Sequence, residues 1–562
     1  MIGAAHAMPA TAHRVLSTRA PLGVAPRVQN RPLSHPMHAD GPWYGRSMDA
    51  LARMLVLAAL LVLAACAGLP EDAGRMPSHA LPADPSHALN AMVDEVVPPG
   101  PESGFALLPV SSVAFATRLE LARRAESTLD VQYYVFQADP TGLSLMRELR
   151  DAAQRGVRVR ILIDDLYTTG EDEALYGLST YPNIEIRLFN PFVEGRSSFL
   201  GRLLLAASDS SRVNHRMHNK LFIADNAMAV AGGRNVADEY FMYSAESNFV
   251  DLDLFIAGPL VSDLESIFDV YWNSSYVYPL AAIVEQPADP ARVRADFDRS
   301  AGEAQGPPRE ELPPPYDVWG HLPEELTLGH LHSLKLARAE AFADPVDKAS
   351  GTREDSLEGT VIDHVLHMMN AAVKEVRITS PYFVPGESGL AMMKAGHDRG
   401  GLVTVLTNSL ASTDAPAAEA GYAQYRKPML EAGVELRELS PMLTRKRRRL
   451  GNFGASLGSL HAKVVTIDGK ILYMGSMNLD PRSARHNTEL GMLIYSPALT
   501  EEVNGLMDEK SLYHLRLSPA GQVQWVAETD EGEFIYDVDP ETTWWRRTKA
   551  LILSWMVPES LL

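Results

Sequence analysis

His218-Asn-Lys220-Leu-Phe-Ile-Ala-Asp225 and His461-Ala-Lys463-Val-Val-Thr-Ile-Asp468 share the pattern H-x-K-x4-D. They lie 243 residues apart (461 − 218), and the same offset carries Gly232 to Gly475, Gly233 to Ser476 and Asn235 to Asn478. Residues i and i+2 of a strand point to one face, so each imidazole stands beside an ammonium. If two such halves pack about a pseudo-twofold axis, two His, two Lys and two Asn converge on one point. That is a pocket for a phosphoryl group, in which Lys220, Lys463 and the amides of Asn235 and Asn478 donate to the non-bridging oxygens. One neutral imidazole attacks phosphorus while the other, protonated, hands its proton to the departing alkoxide. Further on, Phe249-Val-Asp251-Leu-Asp253 holds the place of Asn487-Thr-Glu489-Leu-Gly491. Each copy thus supplies a carboxylate, Asp251 or Glu489, to hold an imidazole by its second nitrogen and fix its tautomer.

The elements that must carry these residues also repeat. Leu129 to Phe136 reads as a strand, Leu143 to Gln154 as a helix and Arg155 to Ile163 as a second strand. Val376 to Phe383, Leu390 to His397 and Arg399 to Thr407 follow in the same order, and Asn183 to Arg187 is matched by Gly433 to Arg437. Strands alternating with helices predict an α/β sheet with helices on its faces. The fold class expected is therefore α/β: two sandwich domains, 105–284 and 357–517, related by pseudo-twofold symmetry and sharing one active site. Residues 285–356, with Pro307-Pro308 and Pro313-Pro-Pro315, read as a connector with at most short helices.

The ends of the chain read differently. Leu55 to Ala65 is an uninterrupted apolar run behind Arg53 and ahead of Cys66, the single cysteine. It is too short to span a bilayer, for which ~20 apolar residues are needed, and its basic flank and small residues make it a secretory signal. Residues 1–47, upstream of Met48, are expected to be a non-native or disordered extension, 48–66 the signal, and 67–104, rich in Pro, Ala and Ser, a flexible tether. In the tail, 518–562, the run from Trp544 to Met556 places Trp, Leu, Ile and Met on one helical face. That face suits either a lipid–water interface or packing on the body.

The paired H-x-K-x4-D motifs and the Gly-[Gly/Ser]-x-Asn motifs resemble those of the phospholipase D superfamily over most of Phe105 to Leu517. The resemblance implies a metal-free and cofactor-free reaction through a covalent phosphohistidine, with His218 as nucleophile and His461 as general acid and then base. It also implies that Asp225 and Asp468 are supporting residues that orient the site. Phe189-Asn-Pro-Phe192, Arg216-Met-His218-Asn-Lys220, Ala224-Asp-Asn226 and Gly232 to Phe241 look like the bacterial cardiolipin synthase C group. That likeness implies a phosphatidyltransferase making cardiolipin from phosphatidylglycerol, with phosphatidylglycerol or phosphatidylethanolamine as donor. Leu63-Ala-Ala-Cys66 likewise resembles the bacterial lipobox, which implies a lipidated Cys66 and a membrane-anchored periplasmic lipoprotein.

Other signals point elsewhere. Gly454-Ala-Ser-Leu-Gly458 spells the serine-hydrolase elbow, but it runs straight into the His461 strand instead of opening a helix. His215 and His218 lack a third metal ligand at usable spacing. Arg445-Lys-Arg-Arg-Arg449 suits a solvated loop or anionic headgroups. The formal charge of −20, from 51 Lys and Arg against 71 Asp and Glu, weighs against nucleic acid as a partner. The expected protein is a monomer acting on membrane phospholipids at a membrane surface. Hydrolysis to phosphatidic acid is the alternative outcome, followed by a nuclease or phosphodiesterase and by an inert lipid-binding scaffold.

Overall fold

A computed structural model describes residues 69–70 and 73–556 apart from 194, 199, 203–211, 213, 310–315, 333, 352–355, 442–456, 508–511 and 530–531. The expected extension 1–47, the signal 48–66 with Cys66, and the basic run Arg445 to Arg449 lie outside the described residues.

Short apolar runs punctuated by Gly, Asn and Asp set the strands of the first half. They are β1 (Glu102–Leu108), β2 (Thr128–Tyr133), β3 (Arg158–Asp164), β4 (Ile184–Phe189), β5 (Leu221–Ala224), β6 (Met228–Gly232), β7 (Ser247–Val250), β8 (Asp253–Ala257) and β9 (Val277–Pro279). The second half repeats them as β10 (Lys335–Ala343), β11 (Glu375–Thr379), β12 (Leu402–Asn408), β13 (Glu435–Leu439), β14 (Leu457–Leu460), β15 (Val464–Ile467), β16 (Ile471–Gly475), β17 (Leu490–Tyr495) and β18 (Leu512–Leu517). A hairpin of β19 (Val523–Thr529) and β20 (Gly532–Tyr536) extends its edge. In the first half β2, β3 and β4 are parallel, joined through helices Pro140–Gln154 and Asp172–Ser179. β5, β6, β8 and β1 then add antiparallel on one side and β9 on the other. In the second half β11, β12 and β13 are parallel, followed by β15, β16, β17 and β10, with β18 on the far edge.

The halves meet where β1 pairs antiparallel with β10, Gly104 opposite Leu336, so that 18 strands form one continuous sheet. Helices pack one face of each half into its own core. The other faces share a third core, in which Leu221, Ile223 and Leu254 meet Leu460, Met474 and Leu490 beneath helices Leu260–Trp272 and Pro497–Met507.

Two expected boundaries need correction. The described part of 67–104 is not a free tether: helix Ala88–Val96 buries Leu89, Met92 and Val93, and β1 begins at Glu102. Residues 75–80 are tied to the body as well. Arg160 and Arg187 donate to the carbonyls of Ser78 and Met76, and Trp272 donates to the Ser78 hydroxyl at 2.8 Å. The connector is also more regular than expected. Asp289 caps Pro290–Glu303, a 14-residue helix that buries Val293, Phe297 and Ala301 at i, i+4 and i+8. Lys335–Ala343 becomes the central strand β10, which holds the halves together.

Candidate active site

The segment entering each histidine is held by its own half. Asp164, at the end of β3, accepts from the Met217 N–H (2.8 Å) and from Arg216 Nε (3.0 Å). Asn408, at the end of β12, accepts from the Leu460 N–H (2.8 Å) and donates to the Leu460 carbonyl (3.0 Å). Each segment is then stapled to the opposite half. His218 N–H donates to Thr488 O and Thr488 N–H to Arg216 O, at 2.8 and 2.9 Å. β14 lies parallel to β7, and the His461 N–H donates to Val250 O at 2.7 Å.

The stapling crosses the carboxylates over. His218 Nδ1 meets Glu489 of the second half at 2.9 and 3.1 Å, and His461 Nδ1 meets Asp251 of the first half at 2.6 Å. With Nδ1 engaged, Nε2 is the nitrogen left for phosphorus. Tyr134 packs edge-on to His218 and Tyr240 edge-on to His461, with centroids 4.9 and 5.1 Å apart. Both imidazoles are buried, at 6% and 4% exposure.

The two lysines expected beside them are there. Lys463 Nζ lies 3.1 Å from His461 Nδ1, and each lysine also donates to the carbonyl of its own histidine. Asn235 accepts from the Val135 N–H at 3.1 Å, and its buried Nδ2 faces the Tyr240 hydroxyl. Asn478 is buried with Oδ1 unpartnered, and half a turn about its last torsion offers Nδ2 there instead.

The glycines of the second motif make room, Gly233 for a carboxylate and Gly475 for the backbone of β17. A Cβ on Gly233 would stand 2.0 Å from Asp251 Oδ1, and one on Gly475 would stand 2.2 Å from Leu490 O. At the position matching Gly233, the Ser476 hydroxyl donates to Glu489 Oε2 at 2.5 Å, and Ser483 donates to Oε1 at 2.8 Å.

Asp225 and Asp468 serve the turn rather than the imidazoles. Both take the left-handed conformation, at φ 52° and 53°. Asp225 accepts from the N–H groups of Glu126, Ser127 and Thr128, and Asp468 from those of Val373, Lys374 and Glu375. They fix the start of β2 and of β11. His215 turns to His486, 3.3 Å away, rather than pairing with His218. Leu457 and Gly458, which end the elbow-like motif, lie in β14 and open no helix.

Burial and the neighbouring ammonium groups hold the His218 imidazole well below its ordinary range, and His461 is lowered to about 4. Burial also lowers both lysines, Lys463 to about 8. The carboxylates diverge. Burial pushes Glu489 up to about 7 in spite of Lys220, Ser476 and Ser483, whereas at Asp251 His461 and Lys463 outweigh burial and hold it at about 2. An incoming phosphodiester anion would favour the charged forms of the lysines and of one imidazole together.

The sequence pattern did not point to Ser483, Asn408 or Asp164, which lie outside both motifs. It named Ser476 only as a repeat position.

Comparison with known proteins agrees with this layout. The family model described as "Cardiolipin synthase, PLD-like domain" matches twice, at residues 119–272 and 365–510. Cardiolipin synthase C of Escherichia coli K12 is 37% identical over 475 residues, covering 82% of this chain and 96% of that protein. Cardiolipin synthase 1 of Bacillus anthracis is 24% identical over 398 residues, 71% of this chain and 64% of that one. Among solved structures, phosphatidylserine synthase of Haemophilus influenzae Rd KW20 has the same fold, with a TM-score of 0.50 at 15% identity, covering 76% of this chain and 91% of that one. With two domain matches spanning more than half its length and a relative this similar over nearly its whole length, the chain belongs to the cardiolipin synthase, phospholipase D-like domain family.

Proposed function

We propose that the protein is a phosphatidyltransferase that makes cardiolipin. The observation that carries this reading is the crossed arrangement: two buried imidazoles, each held at Nδ1 by a carboxylate from the other half, beside two buried lysines. His218 Nε2 attacks phosphorus and the bond to the headgroup oxygen breaks, while His461 gives its Nε2 proton to the leaving alkoxide. In the second half-reaction an acceptor hydroxyl loses its proton to His461, its oxygen bonds to phosphorus, and the P–N bond breaks. Lys220, Lys463 and the two Asn amides hold the non-bridging oxygens through both steps.

The unequal carboxylates support this division of labour. A permanently ionised Asp251 favours an imidazolium at His461, which the acid requires. Glu489, pushed up to about 7, favours a neutral His218, which the nucleophile requires. One chain contains the whole site, so turnover needs no second copy.

The donor is phosphatidylglycerol or phosphatidylethanolamine, and the acceptor is a phosphatidylglycerol hydroxyl. Purified protein in vesicles of these lipids is expected to form cardiolipin, with release of glycerol or ethanolamine and no effect of a chelator. Phosphatidic acid as the sole lipid product would make the enzyme a phospholipase D, and cleavage of DNA without lipid turnover would overturn both lipid readings. The membrane association that the family implies is proposed to come from lipidation of Cys66 on the periplasmic side. Cys66→Ser should then leave an unlipidated product of altered mass in cell fractions, and equal lipid labelling of wild type and variant would refute the anchor.

A further inference from the structure

Amphipathic helices on a protein body turn their apolar side inward; Trp544–Met556 does the reverse. At 100° per residue, Trp544, Trp545, Leu551, Ile552, Trp555 and Met556 fall within one arc of about 140°. Every one of them is exposed, Trp545 by 64% and Trp555 by 83%. The opposite side, with Arg546, Ala550 and Leu553, is the half-buried one, and the helix rests on helix Pro416–Ala423. In a protein of net charge −20 this helix carries Arg546, Arg547 and Lys549 and no carboxylate.

We infer that this outward face is a docking surface for a bilayer containing anionic phospholipid, into whose interface the Trp and aliphatic side chains insert while Arg547 and Lys549 at its borders meet the headgroups. This goes beyond the transfer reaction proposed above, because it assigns the surface that presents the site to its substrate.

The helix is tied to the loop that supports His461. Arg546 donates to Thr413 O at 3.0 Å, and the neighbouring Asp414 accepts from Tyr382 at 2.7 Å. Ser412 O accepts from Ser459, and the Ser412 hydroxyl donates at 2.9 Å to Asn408, the residue that also accepts from Leu460 N–H ahead of His461. Docking through this face therefore fixes the bilayer relative to the histidine segment. An apolar stripe bordered by Arg547 and Lys549 suits anionic lipid headgroups, whereas a two-fold pair of these faces would set the same cations against each other.

The test uses the full-length chain carrying Cys66→Ser, so that lipidation contributes nothing. Partition onto phosphatidylcholine vesicles with increasing phosphatidylglycerol is compared for this parent, Trp545→Ala/Trp555→Ala and Lys549→Glu. The double Trp variant is expected to bind at least tenfold more weakly. Lys549→Glu is expected to weaken binding only where phosphatidylglycerol is present. Both variants should keep the parent's melting temperature and its turnover of a short-chain, monomerically dispersed phosphatidylglycerol. Brominated acyl chains should quench the parent's tryptophan fluorescence and lose that quenching in the double Trp variant. Unchanged partition with unquenched fluorescence would overturn the inference. So would a lipid-free dimer that the Trp variant dissociates, since the face would then belong to a second copy. Failure of the short-chain turnover in parent and variants alike would count against the transferase reading, and the vesicle binding would still decide this one.

Discussion

Asp251→Asn changes one atom 2.6 Å from His461 Nδ1 and removes a charge while keeping the shape of the side chain. Burial alone would raise this carboxyl, yet His461 and Lys463 hold it at about 2 against an ordinary 3.8. A close buried charge pair of this kind is worth on the order of 2 kcal/mol, so removing the charge should cost at least ~30-fold in kcat if His461 must become an imidazolium. Glu489→Gln, the matching change on the other side, should behave differently. Glu489 is pushed up to about 7 by burial, so near pH 6 it is largely protonated already and a neutral amide stands in for it. The expected loss for Glu489→Gln is under ~10-fold at pH 6 and grows towards pH 8.5, following ionisation of the wild-type carboxyl, whereas the loss for Asp251→Asn is flat across that range. The assay is cardiolipin formation in phosphatidylglycerol vesicles from pH 6 to 8.5, with a thermal melt of each variant to show that it is folded. Equal losses at pH 6 with superimposable pH profiles would refute the assignment of His461 as acid and His218 as nucleophile.

Four further outcomes follow from the geometry. If both histidines serve one phosphoryl group, as proposed, His218→Ala and His461→Ala should each abolish turnover and the double variant should be no worse; near-wild-type activity in either would mean separate sites. The native state binds a proton at Glu489 more tightly than the unfolded chain does, about 7 against 4.5. That contribution is fully present below pH 4.5 and is lost as pH rises through 7, by an amount on the order of 3 kcal/mol, so melting curves should show Glu489→Gln gaining stability relative to wild type between pH 5 and 8. Gly233→Ala must displace the Asp251 carboxylate and with it His461, and should cost at least tenfold in kcat. Gly302→Ala, in open space on helix Pro290–Glu303, should leave kcat unchanged and shift the melting temperature slightly upward.

What could be read along the chain was what period and spacing encode. The strand–helix–strand repeats, the common offset of both motifs and the pairing of each His with its Lys all follow from residues close in sequence. The failures share a cause, which is that long-range partners decided the outcome. Lys335–Ala343 is a run of Lys, Arg, Glu and small Ala with one Leu and one Phe, and only β1 and β17 on either side make it a strand. The 67–104 segment looks like a linker by composition, but Ser78 and Met76 supply carbonyls that the buried guanidinium groups of Arg160 and Arg187 use. Asp225 and Asp468 are expected only as structural or orienting residues behind the site, and which backbone they hold is again set by distant strands, because the left-handed turn carries them to the starts of β2 and β11. The apolar face of Trp544–Met556 left two orientations open, and its packing on helix Pro416–Ala423 selects the outward one.

The crossing of the carboxylates explains why two copies of the motif must act as one enzyme. A half that kept its own carboxylate on its own imidazole would need no partner to orient that ring. Here Asp251 holds His461 and Glu489 holds His218, and the strands that deliver each carboxylate are hydrogen-bonded to the segment delivering the opposite histidine. The same arrangement lets the two imidazoles differ while the fold around them stays nearly symmetric. At one position of the offset stands Gly233, which lets the short Asp251 side chain come close; at the other stands Ser476, whose hydroxyl steadies the longer Glu489. On the roles proposed above, a nucleophile and an acid need opposite protonation at the same pH, and this pair of substitutions within a repeated frame would serve that difference.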